Sequence, residues 1–291
     1  MDIAFGSEQG IRQSLNTDAC LSKTLTPNAV LFGVADGFGA AGEGHSTALH
    51  ALELVYEYVR SRRSLGIIES GSEESLRGIL LAALEYANAR LYEAGGSHED
   101  FVGSGASLTT ILIAKRQAFV GHIGDARAYL LRFARLEALT ADDALFAGAQ
   151  GGASAARALK SSLPAKPRAR GVLWRSLGTQ AKLEASVAHV DLLAGDQLLV
   201  CTDGIHASVS ADEMCGAMLE SESAGEVVTR LSAMMKMRGG FDNGTAIAAR
   251  DLTTFDAAPA PAREKIGRNA LLLVGAALLL ALALLFIAVH V

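Results

Sequence analysis

The sequence predicts an α+β domain, with helices packed on antiparallel sheet, followed by one C-terminal transmembrane helix. Three observations carry this prediction. Short apolar runs bounded by Gly and Asp alternate with longer stretches of helical period. The runs between residues 107 and 133 follow one another with short connections, which suits an antiparallel meander better than parallel βαβ units. An unbroken apolar stretch then fills the C-terminus.

Val30–Ala35, Ser107–Ala114, Gln117–Ile123, Arg127–Phe133, Val187–Asp191, Gln197–Cys201 and Gly244–Arg250 read as strands. Leu52, Val55, Tyr56 and Val59 recur at helical spacing and predict an amphipathic helix over Ser46–Arg60. Leu76, Ile79, Leu80 and Ala83, continuing through Ala87 and Leu91, predict a second, and Ala224, Val227, Val228 and Leu231 a third. Ala147–Gly171 is rich in Gly, Ala and Ser and then basic, with Pro164 and Pro167, and reads as a long loop or flap.

From Ala270 to Val289 no residue is charged, and a helix of that length spans about 30 Å, the thickness of a bilayer core. Arg263, Lys265 and Arg268 precede the stretch, so the positive-inside bias places the preceding chain in the cytoplasm. The expected organisation is a folded domain over 1–252, a Pro- and Ala-containing basic linker over 253–268 and a membrane helix over 269–291. The N-terminus shows no basic segment followed by an apolar core, so no secretory signal is expected. The formal net charge of −5 argues against nucleic acid as the main partner. Cys20, Cys201 and Cys215 are scattered and lack CxxC spacing, which excludes a disulfide framework or a structural zinc site and fits a reducing compartment.

The chemistry is signalled by acids where strands stop. Asp36-Gly37 and Asp203-Gly204 each end an apolar run, Asp125 lies between two strands, and Asp242-Asn243-Gly244 precedes another. A single Asp-Gly pair is an ordinary turn signal. Several carboxylates brought together at strand ends repel unless cations neutralise them, and an all-oxygen set favours Mg²⁺ or Mn²⁺ over zinc.

These segments, in this order, resemble the type-2C metal-dependent protein serine/threonine phosphatase family in its compact bacterial form. The resemblance rests on Arg12…Asn16-Thr17-Asp18-Ala19, Val34-Ala35-Asp36-Gly37-Phe38-Gly39, Gly105-Ala106-Ser107-Leu108-Thr109-Thr110, Gly124-Asp125-Ala126-Arg127-Ala128-Tyr129, Gly195-Asp196…Thr202-Asp203-Gly204 and Asp242-Asn243-Gly244-Thr245. It implies a central β-sandwich of two antiparallel sheets flanked by helices, with two or three divalent cations, Mn²⁺ or Mg²⁺, at one edge. Asp36 would bridge two of them, the Gly37 carbonyl, Asp203 and Asp242 would complete the protein ligands, and Asp18 would act directly or through water. Asp125 matches the position that helps hold a further, weaker cation, and Arg12 resembles the phosphate-binding arginine. The implied reaction is hydrolysis of phosphoserine and phosphothreonine by activated water, on phosphoprotein partners that include a cognate kinase or its substrates, at a bacterial inner membrane.

The sequence also departs from the family. Arg12 lies six residues before Asp18, one more than the family spacing. Gly39-Ala40-Ala41 replaces the usual Gly-Gly-His, and His45 is either a proton donor to the leaving oxygen or a surface residue at a helix start. Asp142-Asp143-Ala144 stands for the family's Asp-His-Ser, and Arg175 and Gly178 resemble its following Arg…Leu-Gly, with a structural role. These departures leave two other readings open, a weakly catalytic module that binds phosphorylated partners and a hydrolase of another phosphoester.

Overall fold

A computed structural model describes residues 1–39, 44–62, 66–97, 103–145, 172–173 and 175–252. Two five-stranded antiparallel sheets face each other. One is ordered β1 (Asp2–Glu8), β12 (Gly244–Arg250), β11 (Gln197–Cys201), β6 (Arg127–Arg132), β7 (Arg135–Ala138). The other is ordered β10 (Ser186–Asp191), β5 (Gln117–Ile123), β4 (Gly105–Ala114), β3 (Ala29–Phe38), β2 (Asp18–Thr26).

Side chains of a strand alternate between faces, and both faces of these sheets find apolar partners. Val30, Phe32 and Val34 of β3 meet Leu198, Val200, Ile247 and Ala249 of the opposite sheet. The intervening Leu31, with Leu112 and Phe119, packs instead on α1 (Gly44–Arg62) and α3 (Glu73–Ser97) through Leu52, Val55, Leu80 and Leu84. The outer face of the first sheet, with Leu131, Leu199 and Ala248, is covered by α5 (Ala211–Glu220) and α6 (Ala224–Met237) through Met214, Met218, Val227 and Leu231. Each fully buried side chain of this kind contributes about 1.5–3 kcal/mol. The result is an α-β-β-α layering, and β4, central and covered on both sides, is buried at every position. Short helices α2 (Ile67–Ser70) and α4 (Asp203–His206) and a two-residue ladder of β8 (Ala144–Leu145) with β9 (Val172–Leu173) complete the described elements.

The expected meander is only half present. β4 and β5 pair as a hairpin, but the chain then crosses at 124–126 and β6 pairs with β11 in the other sheet. The positive φ of Gly124, 101°, turns the strand out of its sheet. Asp36 also sits inside β3, opposite Asp18, rather than at the strand's end. The loop expected over 147–171 and the membrane helix expected over 269–291 lie outside the described residues. Among the described residues, no helix is long and apolar enough to cross a membrane.

Candidate metal centre

Asp18 and Asp36 are directly opposed across β2 and β3, and Ser107 of β4 is opposite Asp36. Opposed residues share a face. That face is the inter-sheet one, since Val30, Phe32 and Val34 precede Asp36 at two-residue steps along the same strand and face the other sheet. The apolar filling of the sandwich thus gives way to carboxylates at one end of the inter-sheet space.

Asp203 and Asp242 arrive from the other sheet. Asp203 begins α4 directly after β11, and Asp242 lies just before β12, which pairs with β11. Gly204 sits so close to the neighbouring loop that a Cβ on it would fall 1.8 Å from the Asn243 carbonyl oxygen. Gly37 is similarly pressed on the start of α1, where a Cβ would fall 1.9 Å from the Gly44 carbonyl oxygen. Both Asp-Gly pairs therefore owe their Gly to close backbone approach.

Asp18 is almost fully buried, at 2% exposure. Thr202 Oγ1 donates to its Oδ2 at 2.8 Å, whereas Oδ1 is buried with no hydrogen-bond partner among the described residues. Burial above all, with the Asp203 charge added, pushes its pKa up to about 6 against the lowering effect of hydrogen bonds from Thr202 and Thr245. Burial and the Asp203 charge likewise push Asp125 up to about 6. Asp18 and Asp125 therefore each feel the charge of Asp203.

No three His, Cys, Asp or Glu side chains among the described residues already meet as a closed cation cage. Gln13 Nε2 donates to Asp242 Oδ1 at 2.7 Å. The donor set is nonetheless all oxygen, and it includes the buried Asp18 Oδ1 that has no hydrogen-bond partner among the described residues. Those are the properties that a hard divalent cation would satisfy. Asp36, the Gly37 carbonyl, Asp203 and Asp242 are the residues that would hold such ions, with Asp18 opposite Asp36.

Arg12 is exposed at the rim with its guanidinium 4.1 Å above the Phe241 ring, and its neighbour Gln13 is the residue that reaches Asp242. His45, exposed in the first turn of α1, donates from Nδ1 to the Asp18 carbonyl oxygen at 3.0 Å. Burial pushes the thiols of Cys20 and Cys201 up to about 11 and about 12, so neither is an activated nucleophile.

Sequence reading missed the supporting side chains. Asn243 Oδ1 accepts from Gly10 N at 3.0 Å and its Nδ2 donates to Thr17 Oγ1 at 3.1 Å, tying the 10–17 segment to the Asp242 loop. Thr245 N donates to Thr202 Oγ1 at 2.9 Å, behind Asp18. The one local signal available was position, since Thr202 and Asn243 each adjoin a candidate ligand.

Residues 5–236 match the family described as protein phosphatase 2C. The serine/threonine protein phosphatase PstP of Mycobacterium tuberculosis is 30% identical over 253 residues, which cover 87% of this chain and 45% of that protein. The chain thus spans about half the length of that relative. The crystal structure of a PstP catalytic domain in complex with two manganese ions superposes with a TM-score of 0.68, covering 84% of this chain and 96% of that one at 24% identity. PppA of Pseudomonas aeruginosa, described as a key regulatory component of a type VI secretion system, superposes with a TM-score of 0.67 at 26% identity, covering 85% of this chain and 96% of that one.

Proposed function

The chain belongs to the protein phosphatase 2C family, and from that premise we propose that it removes phosphate from phosphoserine and phosphothreonine in proteins, opposing a serine/threonine kinase in bacterial signalling. The observation that carries this reading is the set of acids closing one end of the sandwich, where a buried Asp18 oxygen has no hydrogen-bond partner among the described residues. Mn²⁺ or Mg²⁺ bound there would activate water and offset charge on the phosphoryl oxygens.

The chain's own groups have separable tasks. Thr202 orients Asp18, and Gln13 and Asn243 orient the Asp242 segment. Arg12 supplies an exposed guanidinium at the rim, suited to two phosphate oxygens at once. His45 is the candidate proton donor to the departing seryl or threonyl oxygen. The stretch from 269 to 291 anchors the enzyme in the inner membrane, supported by its length and by the basic residues before it.

With Mn²⁺, the protein is expected to hydrolyse p-nitrophenyl phosphate and a phosphothreonine peptide, and to stop in chelator. Asp36→Asn and Asp203→Asn should each lower kcat/KM about a hundredfold or more. Hydrolysis that persists in chelator and in both variants would refute the assignment. Capture of the phosphopeptide without turnover would make the protein a binding module, and turnover of small phosphoesters alone a hydrolase of another class.

A further inference from the structure

The turn that carries Asp125 is held at nearly every backbone polar group by residues distant in sequence. Gly124 N donates to Asp143 Oδ2 at 3.1 Å, and Gly124 O accepts from Asp143 N at 2.6 Å. Ser107 Oγ accepts from the N–H groups of both Asp125 and Ala126, each at 2.9 Å. His206, three residues after Asp203, donates from Nε2 to the Asp125 carbonyl oxygen at 2.9 Å. The turn has little room to relax, because a Cβ on Gly124 would fall 2.5 Å from Ser107 Oγ.

Asp143 is 6% exposed, and its second oxygen accepts from Arg175 Nη2 at 2.5 Å. Arg175 is itself fixed, donating from Nη1 to the Glu184 carbonyl oxygen at 3.0 Å. A carboxylate this buried is costly unless a cation meets it, and the guanidinium meets it across 32 residues of sequence. Asp143 thus spends both oxygens and its own N–H on Arg175 and Gly124. A residue wanted only for stability would be as well served by an apolar side chain in such a place.

We propose that the Asp143–Arg175 pair is a positioning device: through the Gly124 backbone it fixes the Asp125 carboxylate where it completes a weakly held divalent-cation site beside the tighter ones. This inference rests on the phosphatase reading above. Partners one shell behind a metal ligand typically change affinity about 10- to 100-fold when altered.

The test is a Mn²⁺ titration of the full chain in detergent, with free Mn²⁺ read by electron paramagnetic resonance and folding checked by thermal melting. Wild type is expected to show a tight and a weak class of site, and Asp125→Asn to lose the weak class. Asp143→Asn and Arg175→Gln should raise the weak-class Kd about tenfold and leave the tight class in place. Arg175→Lys, which keeps the charge with fewer bonds, should fall between and decides the matter if Asp143→Asn does not fold. An unchanged weak class in a folded Asp143 or Arg175 variant would overturn the inference, as would equal loss from both classes. A wild type that binds no Mn²⁺ would overturn the phosphatase reading and this inference with it. Binding that is indifferent to Asp143 would remove this inference alone.

Discussion

At single residues, the fold lowers the pKa of two groups. His122 is buried, donating from Nε2 to the Ala141 carbonyl oxygen at 3.0 Å, with Nδ1 2.8 Å from Thr109 Oγ1. Burial above all lowers its pKa, against the raising influence of Asp143. Burial raises Asp142, but two N–H bonds from Arg127, at 2.7 and 2.6 Å, and its charge outweigh that and leave Asp142 lowered. Both shifts have one sign for stability, because the unfolded chain binds more protons in each window. The His122 contribution is complete above its unfolded pKa of about 6.5 and is lost as pH falls below it. The Asp142 contribution is complete above about 4 and is lost on further acidification. Between pH 5 and 7.5 the His122 share makes the urea midpoint rise with pH, while the raised Asp18 and Asp125 act with the opposite sign. His122→Gln should therefore make the slope less positive even while lowering the midpoint at pH 7.5. An unaltered slope would show that His122 is not held neutral. Such a residue was not legible in the sequence, since its partners are set by a strand crossing. Asp36, Asp203 and Asp242 were legible because each adjoins Gly or Asn-Gly beside an apolar run. Gln13 was not, because its partner Asp242 is 229 positions away.

Among the elements, central strands announced themselves, whereas of the edge strands only β10 did. β4, β5, β11 and β12 are apolar over most of their length and were read almost to the residue. β1 and β2 sit at sheet edges, one side unpaired, and carry exposed Phe5, Ser7, Lys23 and Thr24, so their alternation is diluted. α5 was missed although Ser210 and Glu213 cap it reciprocally, because its apolar face is short. Two glycines in this region make opposite predictions. Gly204→Ala forces a Cβ into the Asn243 carbonyl, so α4 must move off the Asp242 loop. The expected cost is about 1–3 kcal/mol by melting, with weakened Mn²⁺ binding because Asp203 and Asp242 separate. Gly216→Ala, within α5, meets nothing within 4 Å. It should stabilise by about 0.4–1 kcal/mol and leave Mn²⁺ binding unchanged. Equal effects of the two substitutions would show that close approach at Gly204 does not link the two acids.

For the molecule as a whole, the layering of helices on antiparallel sheets follows from strand and helix periods, but the partition into two sheets does not. β5 and β6 are similarly apolar, and nothing in their residues distinguishes a hairpin partner from a strand of the facing sheet. The partition is decided by the Gly124 turn and by pairing with β10 and β11, which enter the chain more than fifty residues later. The proposed anchor is different in kind, because it is argued from length and charge asymmetry alone. Transfer of about twenty apolar residues into a bilayer does not depend on how the preceding domain folds. Removing residues 264–291 should therefore move the protein from the membrane fraction to the supernatant while kcat/KM on a soluble phosphopeptide stays within about twofold, since the match to known phosphatases ends before this stretch. In the full chain, carbonate washing should leave the protein in the membrane, because a spanning helix is held by hydrophobic transfer rather than by surface charge. Release by carbonate, or a full chain already in the supernatant, would rule out a spanning helix. Loss of activity on truncation would instead show that the tail contributes to the catalytic domain itself.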